Sequence, residues 1–354
     1  MRHSFADIAW DVPEPTYRED EALSYSTLAK YEREGGFNSL PTLFDKTSTP
    51  SLRFGSMVDT LLTDGEDAFN NNFIVVEDPG ISETLKDITS TLVEMYKETQ
   101  TAFQNIPDSV IAEIGKQKEF WANDKYTEVR VKKIREACNF YYNLLMLAEG
   151  KTVVTSKDVE DARRCVDILR NDEMTRKYFT DDPFNDNIEG FYQLKFKGED
   201  PATHIPYRCM ADRIIVNHAD KKVIPIDLKT SSSNEWEFYK SFVKWRYDLQ
   251  SRNYWRLIRQ IMDKDPYYKD FSLENYLFIV INRNTLCPLV WEYPDTKTVG
   301  TIKYITKSNA CINLRDPYEI GKELWEYLHK EGPSKYPIGI SQINDIRKYI
   351  EEKL

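Results

Sequence analysis

The pattern of apolar and polar positions is clearest between Ile205 and Lys229. Two short runs rich in Ile and Val, Ile205–Val216 and Val223–Lys229, flank the polar turn Asn217-His218-Ala219-Asp220, which predicts two strands joined as a hairpin. Glu189–Lys197 alternates as a strand and makes the hairpin a three-strand meander. Further on, Asn234–Met262 predicts one long helix, with N-caps available from Ser231 to Asn234. Asn275–Asn282 and Leu286–Tyr293 then read as two more strands, joined at Arg283-Asn284-Thr285. The expected core is α/β, a mixed sheet in αβββαβ order.

The N-terminal half reads differently. Residues 1–22 are acidic and Pro-rich and predict an extended arm. Ser24 or Ser26 caps a short helix through Glu34 that Gly35-Gly36 closes. Leu52–Thr63 predicts a helix with Val58, Leu61 and Leu62 as its apolar stripe. From Ser82 to Tyr178 apolar residues recur every three or four positions among many charges, as at Leu85, Ile88, Leu92 and Tyr96. The expected segments are an arm (1–22), the first part of the core (23–80), a helical insert (81–180), the main core (181–295) and a charged helical C-terminal segment (296–354). Asp181-Asp182-Pro183 ends the helical part, and Glu319–Glu331 reads as amphipathic.

Candidate chemistry gathers on the hairpin. Centred between Ala219 and Asp220, it sets Asp212 opposite Asp227 on one face, and Lys229, two residues on, shares that face. Facing carboxylates repel by roughly 0.2–1 kcal/mol in a surface pair. A divalent cation removes the penalty, because Mg²⁺ takes one or two carboxylates together with phosphate and water. Lys229 would then hold an attacking water or offset charge on a phosphorane-like transition state. The plain alternative is a hairpin carrying exposed Asp and Lys. On the Leu52–Thr63 helix, Gly55 and Asp59 are four apart and share a face, so a backbone or phosphate can come close beside Asp59. His204 precedes a strand and His218 lies in the turn, so neither is expected to act as ligand or base.

Composition narrows the class. With 354 residues and 41% apolar content the chain can bury a core as one large domain or two. The longest clean apolar run, Tyr276–Ile281, falls far short of the ~20 residues of a membrane span, and the first residues lack a signal-peptide stretch. A soluble cytoplasmic protein is expected. Five scattered cysteines, never in C-x-x-C spacing, argue against a disulfide framework, a zinc site or an iron–sulfur cluster. A net charge of −10 disfavours general DNA coating, which Lys and Arg drive. It leaves room for a locally basic channel, and Asn234–Met262 supplies the lining: Lys240, Lys244, Arg246, Arg252, Arg256 and Arg259, interleaved with aromatics. Most of those aromatics are expected in the core and some of the cations, Lys244 and Arg252 among them, on a DNA path.

Taken together, Asp212, the strand turn, Ile226-Asp227-Leu228-Lys229-Thr230 and a following helix with Gln250-x-x-x-Tyr254 resemble the PD-(D/E)xK nuclease superfamily. Leu23-Ser24-Tyr25-Ser26-Thr27-Leu28 and Phe54-Gly55-Ser56-Met57-Val58-Asp59-Thr60-Leu61-Leu62 resemble segments of its RecE-like (exonuclease VIII) and RecB-type phage exonuclease branch. Asp59 stands here where that branch usually has a metal-binding His. The resemblance implies a restriction-endonuclease-like core and a Mg²⁺ cofactor for which Mn²⁺ can substitute. It implies metal ligation by Asp212, Asp227 and the Leu228 carbonyl, with Asp59 and Glu189 completing the set, and water activation by Lys229. Gln250 and Tyr254 would position the strand. It further implies processive 5′-to-3′ digestion of DNA for recombination, a ring-shaped homo-oligomer, a single-strand annealing protein as partner, and the host cytoplasm as location. An endonuclease on the same core and a non-catalytic DNA-binding or phage structural protein are the alternatives.

Overall fold

The computed structural model describes residues 2–44, 49–148, 150–181, 185–305 and 311–329. The expected stop at Asp182-Pro183 and the C-terminal segment beyond His329 lie outside them. The chain forms two compact units, Thr49–Val166 and a second made of Met1–Ser48 with Asp167–Leu354.

The Thr49–Val166 unit is helical, as its periodicity predicts, but it begins well before residue 81. Helices Glu83–Tyr96, Asp108–Gln117 and Thr127–Leu147 pack around Ile88, Leu92, Ile111, Ile134, Cys138 and Tyr142. Phe73–Val76 and Thr152–Thr155 pair in parallel. The predicted helix over Leu52–Thr63 is present as Pro50–Thr63, capped by Thr49.

The other unit holds the sheet. Along its main path the strands are β1 (Ile188–Glu199), β2 (Pro206–Asn217), β3 (Lys222–Ser231), β4 (Leu277–Asn282) and β5 (Pro288–Glu292), side by side in that order, and the short strand Ser272–Leu273 pairs with the start of β3. β1, β2 and β3 are an antiparallel meander, β3 and β4 are parallel, and β4 and β5 are antiparallel. This mixed α/β sheet fits the expected class. The parallel step needs a crossover, and two helices supply it: α2 (Phe238–Trp245) and α3 (Tyr247–Lys264). Leu249, Leu257 and Ile258 of α3 join Phe196, Cys209, Ile214 and Phe278 of the sheet in one core.

Three expectations are revised. Asn234–Met262 is not one helix, because Arg246 adopts a left-handed conformation (φ 56°) between α2 and α3. Its buried guanidinium holds Asp248 through two hydrogen bonds of 2.9 and 3.1 Å and Glu32 at 2.6 Å, which offsets the strain of a non-Gly residue at positive φ. Residues 1–22 are no extended arm. Phe5 and Tyr17 are buried, and Trp10 N–H donates to the Lys195 carbonyl on β1 at 2.8 Å. Nor is the span after residue 296 wholly helical: strands Ile302–Ile305 and Cys311–Leu314 precede helix α4 (Pro317–His329). The helix closed by Gly35 is present as α1 (Tyr25–Arg33); Ser24 is its N-cap, and Gly35 follows it at φ 82°.

The hairpin register agrees with the predicted one, with Asn217 opposite Lys222 and Arg213 opposite Ile226. Regular alternation does not survive along β2. Tyr207, Cys209 and Ala211 share a core with Ile214 and Val216, so the parity of inward residues changes at Asp212–Arg213. Across from that point Gln193 of β1 has φ 50°, and the β1–β2 ladder skips from Tyr192–Arg213 to Leu194–Ala211. The β2–β3 ladder also stops at Arg213–Ile226. The sheet therefore opens at Asp212 between β2 and β3, with a one-residue break in the pairing to β1.

Candidate active site

The opening in the sheet is where the chemistry collects. β3 continues past the end of its ladder with β2, and the Leu228 N–H there donates instead to Asp212 Oδ2 at 2.9 Å. In a strand the N–H and C=O of one residue point the same way. The Leu228 carbonyl is thereby directed to the same gap as the Asp212 carboxylate. Asp227 is fully buried, and its Oδ2 lies 2.5 Å from Lys229 Nζ. Gln250, from α3, donates its side-chain amide to Asp227 Oδ1. Two carboxylates, an ammonium and an amide thus come from three elements to one place. They are not sealed off, since Lys229 retains 21% of its side-chain exposure and Asp212 is half-buried.

Electrostatics assign Lys229 a state. Burial alone pushes its ammonium toward the neutral form, but Asp227 and, to a lesser extent, Tyr247, Asp212 and Tyr25 more than reverse this. The pKa stands well above the ordinary lysine value. Asp227 thus favours the charged form of Lys229, in which it offers hydrogen-bond donors to the site.

Aromatic side chains frame the group. Lys229 Nζ lies 4.7 Å from the Tyr247 ring centroid, a cation–π distance, and Tyr25 stands 6.3 Å from Tyr247. Tyr254 and Tyr276 are buried behind the carboxylates with rings 6.1 Å apart. Burial, reinforced by Asp227 and Asp212, holds the Tyr276 hydroxyl far above its usual pKa. Burial does the same to Tyr254, with Tyr17, Cys209 and both carboxylates adding to it.

Two buried polar atoms here have no hydrogen-bond partner among the described residues, Gln250 Oε1 and Tyr276 Oη, while Asp227 Oδ2 has the Lys229 ammonium. Such groups are costly unless something binds them. Among the described residues no group of three or more His, Cys, Asp or Glu side chains assembles as a metal cage. Two carboxylates and a carbonyl nevertheless suit Mg²⁺, which keeps several waters and takes its other oxygens from phosphate.

The remaining expected site residues are placed elsewhere. Glu189 faces Val216 at the turn end of the meander, ion-paired with Arg2 at 3.3 Å and 3.1 Å from His218 Nε2. It is four residues along β1 from the position across from Asp212, roughly 13 Å at strand rise, and so does not join the carboxylate pair. Asp59 belongs to the Thr49–Val166 unit, half-buried on its helix, with its carbonyl accepting from Thr63 Oγ1 at 2.9 Å. Arg252, expected on a DNA path, is instead fully buried, bonding Asp316 at 2.7 Å and the Thr298 carbonyl at 3.1 Å. It cannot reach a phosphate without breaking that pair. Lys244 is exposed and lies 4.9 Å over the Trp245 ring.

Tyr25, Tyr247 and Tyr276 escaped the reading of the sequence. Tyr247 had a signal, because it lies three residues before Gln250 on one helical face. Tyr276 had none beyond its apolar strand. Compared with known proteins, the chain matches no family model and no curated sequence.

Proposed function

We propose that the protein is a Mg²⁺-dependent deoxyribonuclease that hydrolyses phosphodiester bonds, working as a RecE-like 5′-to-3′ exonuclease. One observation carries the reading: Asp212, Asp227, Lys229 and Gln250 meet where the sheet opens. Asp212, Asp227 and the Leu228 carbonyl would hold the ion. Once bound, it would supply Lewis-acid polarisation of the phosphate and a water of lowered pKa.

The protein's own groups do the rest. Gln250 fixes the rotamer of Asp227 through its amide, and Asp212 is fixed by the Leu228 N–H. Such outer partners sharpen ligand geometry. Lys229, its charged form favoured by Asp227, would direct that charge at oxygens on which negative charge grows. Metal ligation by Asp59, the ring oligomer and the annealing partner are part of the same proposal, and a metal-bound structure tests the first.

The experiment is digestion of linear duplex and of covalently closed circular DNA with Mg²⁺ or Mn²⁺. Loss of linear DNA alone, abolished in Asp227→Ala and Lys229→Ala, is the expected result. Nicking of closed circles would replace the exonuclease by an endonuclease, and inactivity on both substrates with either ion would remove the nuclease reading. A metal-bound structure in which Asp59 stays away from the ion would remove the RecE-like assignment.

A further inference from the structure

The basic and aromatic residues of Asn234–Met262 are divided by the fold. Phe238, Phe242 and Tyr254 are buried, as are Arg246, Arg252 and Arg256 with their acidic partners. Trp236 (82% exposed), Tyr239 (58%) and Trp245 (40%) stand outward instead. Singly exposed aromatics are common, but beside cations they make the kind of platform on which unpaired bases stack.

Trp245 lines an open groove of about 580 Å³ between α1 and α2. Arg33 lies 4.6 Å over its ring and Lys244 4.9 Å, and Lys30 is also on the wall. The acids of the groove are Glu32, which Arg246 and Arg315 hold at 2.6 and 2.7 Å, and Glu34. A chain of net charge −10 thus carries a local surplus of cations here. The groove adjoins the active site through a run of neighbouring groups: Lys229 beside Tyr247, Tyr247 beside Tyr25, and Tyr25 Oη donating to the Trp245 carbonyl at 2.8 Å.

We infer that this groove, the outward face of α2 and the turn at Glu235–Glu237 before it carry a single-stranded DNA segment, its bases stacked on Trp245, Tyr239 and Trp236 and its phosphates against Arg33, Lys30 and Lys244. The inference rests on the nuclease reading for the strand's destination, and it names the form of substrate that site takes. Stacked base pairs in a duplex keep their faces covered, whereas an unpaired strand offers them, and aromatic platforms with cations suit it. The strand would reach the carboxylates already unpaired.

The test is fluorescence anisotropy with labelled oligo-dT and a blunt duplex of equal length, in Ca²⁺ to suppress cleavage. Oligo-dT is expected to bind more tightly than the duplex. Trp236→Ala, at a site too exposed to unfold the chain, and Trp245→Ala each lower oligo-dT affinity roughly five- to hundredfold. Arg33→Ala flattens the salt dependence by about 0.7 in log–log slope for each phosphate that the variant no longer neutralises. Unchanged affinity in both tryptophan variants, or preference for the blunt duplex, overturns the inference. Mn²⁺-dependent hydrolysis of bis(p-nitrophenyl) phosphate, too small to reach the groove, is measured alongside. Its absence from the wild type fells the nuclease reading while the binding result still decides the groove.

Discussion

Replacing Lys229 by Met isolates the charge arrangement from catalysis. Asp227 is fully buried and its ammonium partner is 2.5 Å away. At an effective dielectric of about 20 that separation corresponds to roughly 7 kcal/mol of attraction before desolvation. Most of this is spent on taking the two ions out of water. What remains measurable is the penalty of stranding one ion, about 3–5 kcal/mol for a buried pair. Lys229 is one-fifth exposed and Gln250 still donates to Asp227, so the lower end, about 3 kcal/mol, is expected. Urea denaturation followed by tryptophan fluorescence reads it. The double variant Lys229→Met with Asp227→Asn recovers most of the loss, because a neutral amide no longer needs the cation. Mg²⁺ raises the midpoint of Lys229→Met more than that of wild type, since the ion then has no competing ammonium. Midpoints of Lys229→Met and wild type that coincide without metal, or a double variant as unstable as the single one, would refute the reasoning.

Other outcomes follow from the same geometry. Gln250→Ala removes the amide from Asp227 and is expected to weaken Mg²⁺ affinity by about 10- to 100-fold, as measured by calorimetric titration. Arg252→Met takes one of two arginines from Asp316, which Arg256 still holds, and destabilises by about 1.5–3 kcal/mol for the lost charged hydrogen bond, yet leaves the salt slope of DNA binding unchanged, as anisotropy would show. Burial pushes the Asp316 carboxyl up, but its hydrogen bond to Arg256 and the charges of Arg256 and Arg252 more than offset that, leaving it below 3.8. A depressed folded pKa means stabilisation that is present above pH 3.8 and lost as pH falls through the folded value. Asp316→Asn should therefore flatten the acid limb of a stability–pH curve below about pH 4. Gly321→Ala places a methyl against the Tyr207 hydroxyl on the sheet. It should lower the thermal midpoint through about 1–3 kcal/mol of overpacking.

Local chemistry in the chain was enough to determine the hairpin, its register and the placing of Lys229 on the face of Asp227. Two-residue alternation and a polar turn depend only on neighbours in sequence, and the β1–β2–β3 meander and the strands near Asn282 and Pro288 were legible for the same reason. The helical character of the Thr49–Val166 unit came from periodicity too. Tertiary structure alone decided which charges are free. Arg252 and Lys244 are both basic residues of one stretch, but Arg252 is claimed by Asp316, distant in sequence, while Lys244 is left at the surface. The break at Arg246 likewise depends on Glu32 and the Arg315 carbonyl. The opening of the sheet at Asp212 needs distortions on two strands at once, with Gln193 at positive φ. No window of sequence contains both, and so the site's defining feature waited on the fold.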